Sequence, residues 1–226
     1  MNVSHTDIMF HHPFTCICAG PSSSGKTELV RSILENHDKT IFINLKDKPL
    51  NVMWCHGQMQ DRYRDPLNKT SVTYFEGAPT ESDVLSIQPD LIVIDDLMAE
   101  IGDNPILPNL FTKGSHHMGI SVIFIVQNLF HQGKPMRGTS INSKYTILMK
   151  NVRDKRQIVV FGSQAYPGES KRFMEAYNDA TDGSFGYLLH DSLNETPEAL
   201  WLRTRIVPVN GLYSPVNYHP KTIQNV

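Results

Sequence analysis

Residues 14–36 read FTCICAGPSSSGKTELVRSILEN. The stretch joins an apolar run to a Gly/Pro/Ser segment and then to Leu29, Val30, Ile33 and Leu34, which share one face at helical spacing. The apolar run, 14–19, reads as a buried strand. Between strand and helix, Gly20-Pro21-Ser22-Ser23-Ser24-Gly25-Lys26-Thr27 fits the pattern G-x-x-x-x-G-K-[ST]. Glycines at its first and sixth positions permit backbone angles that other residues resist, so that successive N–H groups can converge on phosphate oxygens. Lys26 is expected to reach the β- and γ-phosphates, the Thr27 hydroxyl to sit on Mg²⁺, and Glu28 to follow in the helix that offers its positive end. A chance Gly/Ser turn before a helix would lack this strand–loop–helix context. ATP and Mg²⁺ are the expected substrate and metal, held by Gly20, Pro21, Ser22, Ser23, Ser24, Gly25, Lys26, Thr27 and Glu28.

The composition sets bounds on this reading. A chain of 226 residues can bury one α/β domain well and hardly two. We expect a single ATPase domain over 1–210, and over 211–226, which is aperiodic and has two prolines, a partly disordered C-terminal tail. Hydrophobic content of 40% and charged content of 19% are ordinary for a globular domain. The longest purely apolar run, 122–126, is far too short to cross a bilayer. The opening MNVSHTDIMF lacks the basic-then-apolar order of a signal peptide. Cys16, Cys18 and Cys55 are odd in number and have no C-x-x-C spacing, which argues against a disulfide frame or zinc site and for a reduced, intracellular setting. The net charge of −2 leaves no overall basic footprint for nucleic acid, although a ring would repeat a few Lys or Arg around its channel. The pairs His11-His12 and His116-His117 have no framing carboxylates or thiols, and ordinary polar histidines explain them better than metal ligands do.

Periodicity predicts strands over 14–19, 40–44, 72–75, 91–95, 121–126, 145–149, 187–189 and 200–206. Helices are predicted after the phosphate loop and over 82–87, 107–117, 155–161 and 170–181. The alternation implies an α/β fold, a mostly parallel central sheet flanked by helices on both faces, as in RecA-like P-loop NTPases. The polar stretch 46–69, rich in Asn, Asp, Gln and Pro, is expected to leave the sheet as a surface excursion.

A second half of the nucleotide site follows from two strand ends. Residues 91–96, LIVIDD, bury a strand and leave an acidic pair at its carboxyl end, where open α/β sheets place ligands. Asp95 is the expected Mg²⁺ carboxylate beside Thr27, and Asp96 the group that polarises an attacking water. An Asp-Asp helix cap would look the same in isolation. Residues 121–127, SVIFIVQ, form another buried strand ending in an amide, Gln127, which can both donate to and accept from a γ-phosphate or water.

Four segments together bring out a family resemblance. AGPSSSGKTELV (19–30), LIVIDDL (91–97), LFTKGSHHMGISVIFIVQNLFHQGK (110–134) and INSKYTILMKNVRDKRQI (141–158) resemble the viral DNA-packaging ATPases of the FtsK–HerA superfamily. Among these the ATPases of Polinton/Maverick elements and adintoviruses are most alike, with those of poxviruses and virophages as cousins. The resemblance spans about 13–208. It implies a homo-oligomeric ring of five or six subunits that hydrolyses ATP to drive double-stranded DNA into a preformed capsid, docked on a capsid vertex protein. The place of action would be the nucleus or viral factory of a host cell, with no membrane partner. It also implies Lys26 and Thr27 on phosphate and Mg²⁺, Asp95 on the metal and Gln127 as sensor. Two departures stand out. Many cellular relatives have Glu where this chain has Asp96, and many have Arg-His where it reads Gly114-Ser115-His116-His117. An arginine finger from a neighbouring subunit therefore falls to Arg137, or failing that to Arg153 or Arg156.

Three rivals fit less well. A small-molecule P-loop kinase needs an Arg-rich lid, and Gly133-Lys134-Pro135-Met136-Arg137-Gly138 is too sparse to be one. A superfamily 3 or AAA-type ring helicase would end its sensor strand in Asn and add a helical lid domain. A nucleotide-gated structural protein would not need Lys26, Thr27, Asp95 and Asp96 all intact.

Overall fold

The computed structural model of the chain describes residues 4–46, 48–97, 118–130, 143–209 and 211–219. Its strands, in chain order, are β1 (Phe10–His11), β2 (Thr15–Ala19), β3 (Ile41–Phe42), β4 (Leu50–His56), β5 (Thr70–Glu76), β6 (Leu91–Asp95), β7 (Ser121–Val126), β8 (Tyr145–Met149), β9 (Tyr187–Asp191), β10 (Leu202–Thr204) and β11 (Val216–Asn217). The helices are α1 (Lys26–Glu35), α2 (His37–Thr40), α3 (Glu81–Ile87), α4 (Arg156–Ala165) and α5 (Ser170–Ala180). Nine strands make one sheet in the order β11-β10-β9-β8-β2-β7-β6-β4-β5. The six from β8 to β5 pair in parallel, and β9, β10 and β11 continue the sheet antiparallel.

The side-chain period of a strand explains how the layers form. On one face Cys16, Cys18, Trp54, Val93, Ile125 and Ile147 meet Leu29, Val30, Ile33 and Leu34 of α1. On the other, Ile17, Met53, Ile94, Phe124 and Leu148 meet Val84 of α3, Ile158 of α4 and Phe173 and Tyr177 of α5. Cys16, Cys18 and Cys55 are all buried free thiols, as expected of small apolar groups. Among the described residues no helix is long and apolar enough to cross a membrane.

Three expectations need correction. The stretch 46–69 is a surface excursion only past His56, between β4 and β5. It contains β4, which lies between β6 and β5 with both neighbours parallel and all but one of its residues buried. Its apolar centre is only Val52-Met53-Trp54-Cys55, too short to stand out among polar flanks, and burial on both faces removes any alternation. The segment expected as a strand over 40–44 contributes only β3, which pairs with β1 in a separate two-stranded ribbon, while Thr40 closes α2. The span 211–226 is not all tail. Val216 and Asn217 pair with Thr204 and Arg203 as the edge of the main sheet. The helix expected over 107–117 lies outside the described residues.

Candidate functional site

The phosphate-loop motif leaves the carboxyl end of β2, between β7 and β8. The Gly20 N–H donates to Val126 O (3.1 Å), and a Cβ on Gly20 would lie 2.5 Å from that of Met149, so the first glycine is required by close packing. Ser23 and Gly25 both take positive φ, 62° and 93°. Gly25 also serves as the N-cap of α1, where no side chain caps the helix, so the first-turn amides have no side-chain acceptor at the loop. Lys26 folds back, its Nζ donating to the carbonyls of Gly20 (2.7 Å) and Pro21 (2.8 Å). Burial pulls its pKa down, against the opposing attraction of Cys18, Asp95 and Asp96. An anion in the loop would restore the ammonium's preference for charge.

A cavity of about 230 Å³ opens over this loop, lined by Ser22 through Thr27 on one side and Asp95, Asp96 and Gln127 on the other. The adjacency of β6 and β7, with Asp95 in register with Ile125, brings the two strand ends together. Thr27 Oγ1 donates to Asp95 Oδ2 at 3.2 Å. Burial raises the Asp95 pKa, and hydrogen bonds from Tyr63 and Thr27 oppose it. The chain turns sharply at Asp96, whose φ is 56°. Its carboxylate accepts from Gln127 Nε2 at both oxygens, at 3.1 and 3.2 Å. The amide and the candidate water-orienting carboxylate are thus a single hydrogen-bonded unit at the cavity wall.

The residues fit a triphosphate with Mg²⁺. Ser24 Oγ is buried in the cradle without a hydrogen-bond partner, an orphan that a phosphate oxygen would satisfy. Thr27 and Asp95 present a hydroxyl and one carboxylate to the same point. That is the sparse oxygen set Mg²⁺ takes when phosphates and water complete its shell. Among the described residues no group of three or more His, Cys, Asp or Glu could hold a metal by itself.

Of the other expected residues, Gly20 and Pro21 contribute the carbonyls that hold Lys26, and Glu28 lies exposed in the first turn of α1, off the cavity wall. Arg153 and Arg156 are exposed at the start of α4 and do not line the cavity. Arg137 lies outside the described residues.

Sequence reasoning missed three participants. Tyr63, in a single 3₁₀ turn over Asp61–Arg64, donates from its hydroxyl to Asp95 Oδ2 at 2.8 Å, while its ring packs against Trp54, His56 and Tyr74. Gln60, just before it, lines the cavity. Both belong to the stretch taken for a surface excursion, and no local signal marks them. The third is Gln157. Its Oε1 accepts from Leu129 N (2.8 Å), and its Nε2 donates to Asn128 Oδ1 (3.2 Å) and Asp154 Oδ2 (2.8 Å). It ties the exit of β7, just past Gln127, to the start of α4. Asn151 Oδ1 accepts from the N–H groups of Arg153 and Asp154 and shapes that start. The segment KNVRDKRQI thus braces the exit of β7.

This sheet order, with the loop after β2 and carboxylates at the carboxyl end of β6, defines the class: the fold is that of a P-loop NTPase. The sequence matches no family model and no curated protein. Among solved structures the chain is similar to the genome packaging NTPase B204 from Sulfolobus turreted icosahedral virus 2. With its ATP-gammaS complex it shares 13% identity at a TM-score of 0.54, covering 82% of this chain and 95% of that one. The AMPPCP complex gives 12% identity and a TM-score of 0.54 over 81% and 94%. The DNA-packaging ATPase B204 from Sulfolobus turreted icosahedral virus is similar at 13% identity and a TM-score of 0.50, over 82% and 95%.

Proposed function

We propose that this chain is a Mg²⁺-dependent ATPase that moves double-stranded viral DNA into a preformed capsid as a homo-oligomeric ring. The observation that carries the ATPase reading is the wall opposite the phosphate loop: Asp95 bonded to Thr27, and Asp96 held at both oxygens by Gln127. A phosphate-storing or purely structural site has no use for a second carboxylate tied to a sensor amide. The packaging reading is supported by the four resembling segments and by the shared fold with the genome packaging NTPase B204. The finer placement with Polinton/Maverick and adintovirus ATPases rests on those segments alone.

In the mechanism this implies, Lys26 exchanges its bonds to Gly20 and Pro21 for phosphate oxygens, and the amides of the loop and α1 share the remaining charge. Mg²⁺, held through Thr27 and Asp95, would supply charge neutralisation at the phosphates. Asp96 orients and polarises the attacking water. While Gln127 donates to Asp96, the lone pairs needed for that task are partly engaged. An acceptor on the terminal phosphate competes for the Gln127 amide, frees Asp96 and shifts the exit of β7, which Gln157 passes to α4. An arginine from the adjacent subunit completes the charge stabilisation, and such a group is worth roughly 10³–10⁵ in rate. The ring holds five or six copies around DNA and works at a capsid vertex, inside the host nucleus or viral factory.

The test is ATP hydrolysis by the purified chain with and without long double-stranded DNA, together with its mass in solution. DNA-stimulated turnover by a closed oligomer is expected. DNA-independent turnover by a monomer would remove the motor while leaving the ATPase, and absence of any turnover with both present would remove the enzyme.

A further inference from the structure

The cavity over the phosphate loop, about 230 Å³, is smaller than the roughly 300–1,000 Å³ of sites that enclose a drug-sized ligand. It can hold a phosphate chain but not a whole nucleotide, so the nucleoside must leave it in some direction. On the β7 and β6 side, Asp95, Asp96 and Gln127 form the wall. On the other side of β2 lie β8, β9 and β10. There, a second cavity of about 580 Å³ is lined by Asp179, Asp182, Phe185, Tyr187, Arg205 and Tyr218, among others. The ring of Phe185 separates the two: its Cδ1 is 3.0 Å from where a Cβ on Gly25 would stand.

Phe185 is an unusual residue on its own account. It sits in the turn between α5 and β9 at φ 58°, a conformation that bulky side chains avoid, and the residue is 65% exposed. Arg205, across the same cavity, is also left-handed, at φ 55°. Strain of this kind persists where the surroundings hold it, and it concentrates at ligand-binding positions. Lys150 pins the turn by donating from Nζ to the carbonyls of Asp182 (2.7 Å) and Gly183 (3.3 Å). These bonds fix the backbone of the turn that presents Phe185.

We infer that the cavity beside Phe185 is a nucleobase subsite, in which a purine base stacks on the exposed Phe185 ring while its phosphates occupy the 20–27 loop. The inference rests on the phosphate-cradle reading above. A flat aromatic ligand covers the apolar ring that water now touches. Asp179 and Asp182 supply acceptors for the exocyclic N–H groups of a purine base. Asp179 is already fixed by the Tyr218 hydroxyl, which donates to its Oδ2 at 2.6 Å.

The test compares binding of ATP and of inorganic tripolyphosphate, each with Mg²⁺, by calorimetry on the full chain. Phe185→Ala should weaken ATP by about 5-fold to about 100-fold, the range for loss of one base–aromatic stack, and leave tripolyphosphate unchanged. Phe185→Tyr, which keeps the π-face, should bind ATP like the parent. Lys26→Ala should weaken both ligands. Equal losses for both ligands in Phe185→Ala, or none for ATP, overturn the base subsite alone. A parent chain that binds neither ligand overturns the cradle and the subsite together. Should Phe185→Ala fail to fold, saturation-transfer NMR on the parent decides: transfer from protein aromatic protons to the H8 and H2 of ATP supports the stack, and its absence overturns it.

Discussion

Lys26 satisfies its ammonium on two carbonyls of its own loop. Lys26→Ala should therefore fold normally, lose detectable hydrolysis and bind ATP weakly, because the phosphate charge loses its partner. Unchanged turnover would remove the nucleotide site itself. Asp96→Asn should keep ATP binding and slow hydrolysis by about 100-fold or more. If binding falls as much as turnover, Asp96 serves the metal or the fold instead. Gln127→Ala, which releases the Asp96 carboxylate, should keep ATP binding but lose stimulation by DNA, since nothing then couples phosphate state to the β7 exit. Tyr63 makes a separate case. Tyr63→Phe keeps the ring packing on Trp54 and Tyr74 but removes the hydroxyl that fixes Asp95. Loss of such an orienting partner should raise the Mg²⁺ needed for half-maximal turnover by about 10-fold or more, with turnover recovered at saturating Mg²⁺. An unchanged Mg²⁺ titration would make Tyr63 a packing residue.

At the scale of elements, β4 decides most. It separates β6 from β5, and its Trp54 is fully buried against the aromatic cluster that holds Tyr63. Trp54→Ala should cost about 3–5 kcal/mol, which lowers Tm by roughly 10 °C in a domain of this size. It should also raise the Mg²⁺ requirement, through Tyr63. Trp54→Phe should be much milder, because the indole N–H has no hydrogen-bond partner to lose. A thermal melt of both variants separates these outcomes. The elements legible in the sequence are those with a long uniform signature: β2, β6, β7 and β8 as apolar runs, α1, α4 and α5 as amphipathic faces. β4 was not legible because a short buried strand has neither alternation nor length to distinguish it. The Asp95, Asp96 and Gln127 wall was legible because each residue ends such a run. Tyr63 and Gln157 act through contacts with residues 32 and 28 positions away, and no local pattern encodes those.

For the molecule as a whole, acid should weaken the fold before its carboxylates titrate. Burial, and then the Arg203 guanidinium, push the His190 imidazole from 6.5 down to about 4, with its ring edge-on to Phe161 and Tyr166. Between those two values the unfolded chain takes up a proton that the folded chain refuses, so stability falls as pH drops through that window. His12, lowered by burial, acts in the same sense. Thermal melts from pH 7 to pH 4.5 should show a falling Tm, and His190→Gln should flatten it; an unaltered slope would locate the sensitivity elsewhere. Assembly gives the other prediction. Among the described residues no arginine lines the phosphate cavity. Specific activity should therefore rise with protein concentration and with DNA. Mixed Arg137→Ala and Lys26→Ala subunits, each inactive alone, should regain activity through interfaces that pair an intact loop with an intact arginine. No recovery despite proven co-assembly would pass the role to Arg153, Arg156 or another residue.

The amino-acid sequence alone determined the phosphate loop, the identity of the strand-end carboxylates and amide, and the α/β class. Each is written in consecutive residues, because a loop's φ preferences and a strand's burial are local properties. Only the tertiary structure decided that β4 lies inside the sheet, that Tyr63 grips Asp95, that Gln127 holds Asp96, and that Phe185 stands at the edge of Gly25. Those are pairings across the sheet order, set by which strands become neighbours when both faces are buried at once, and strand order is a property of the packed whole.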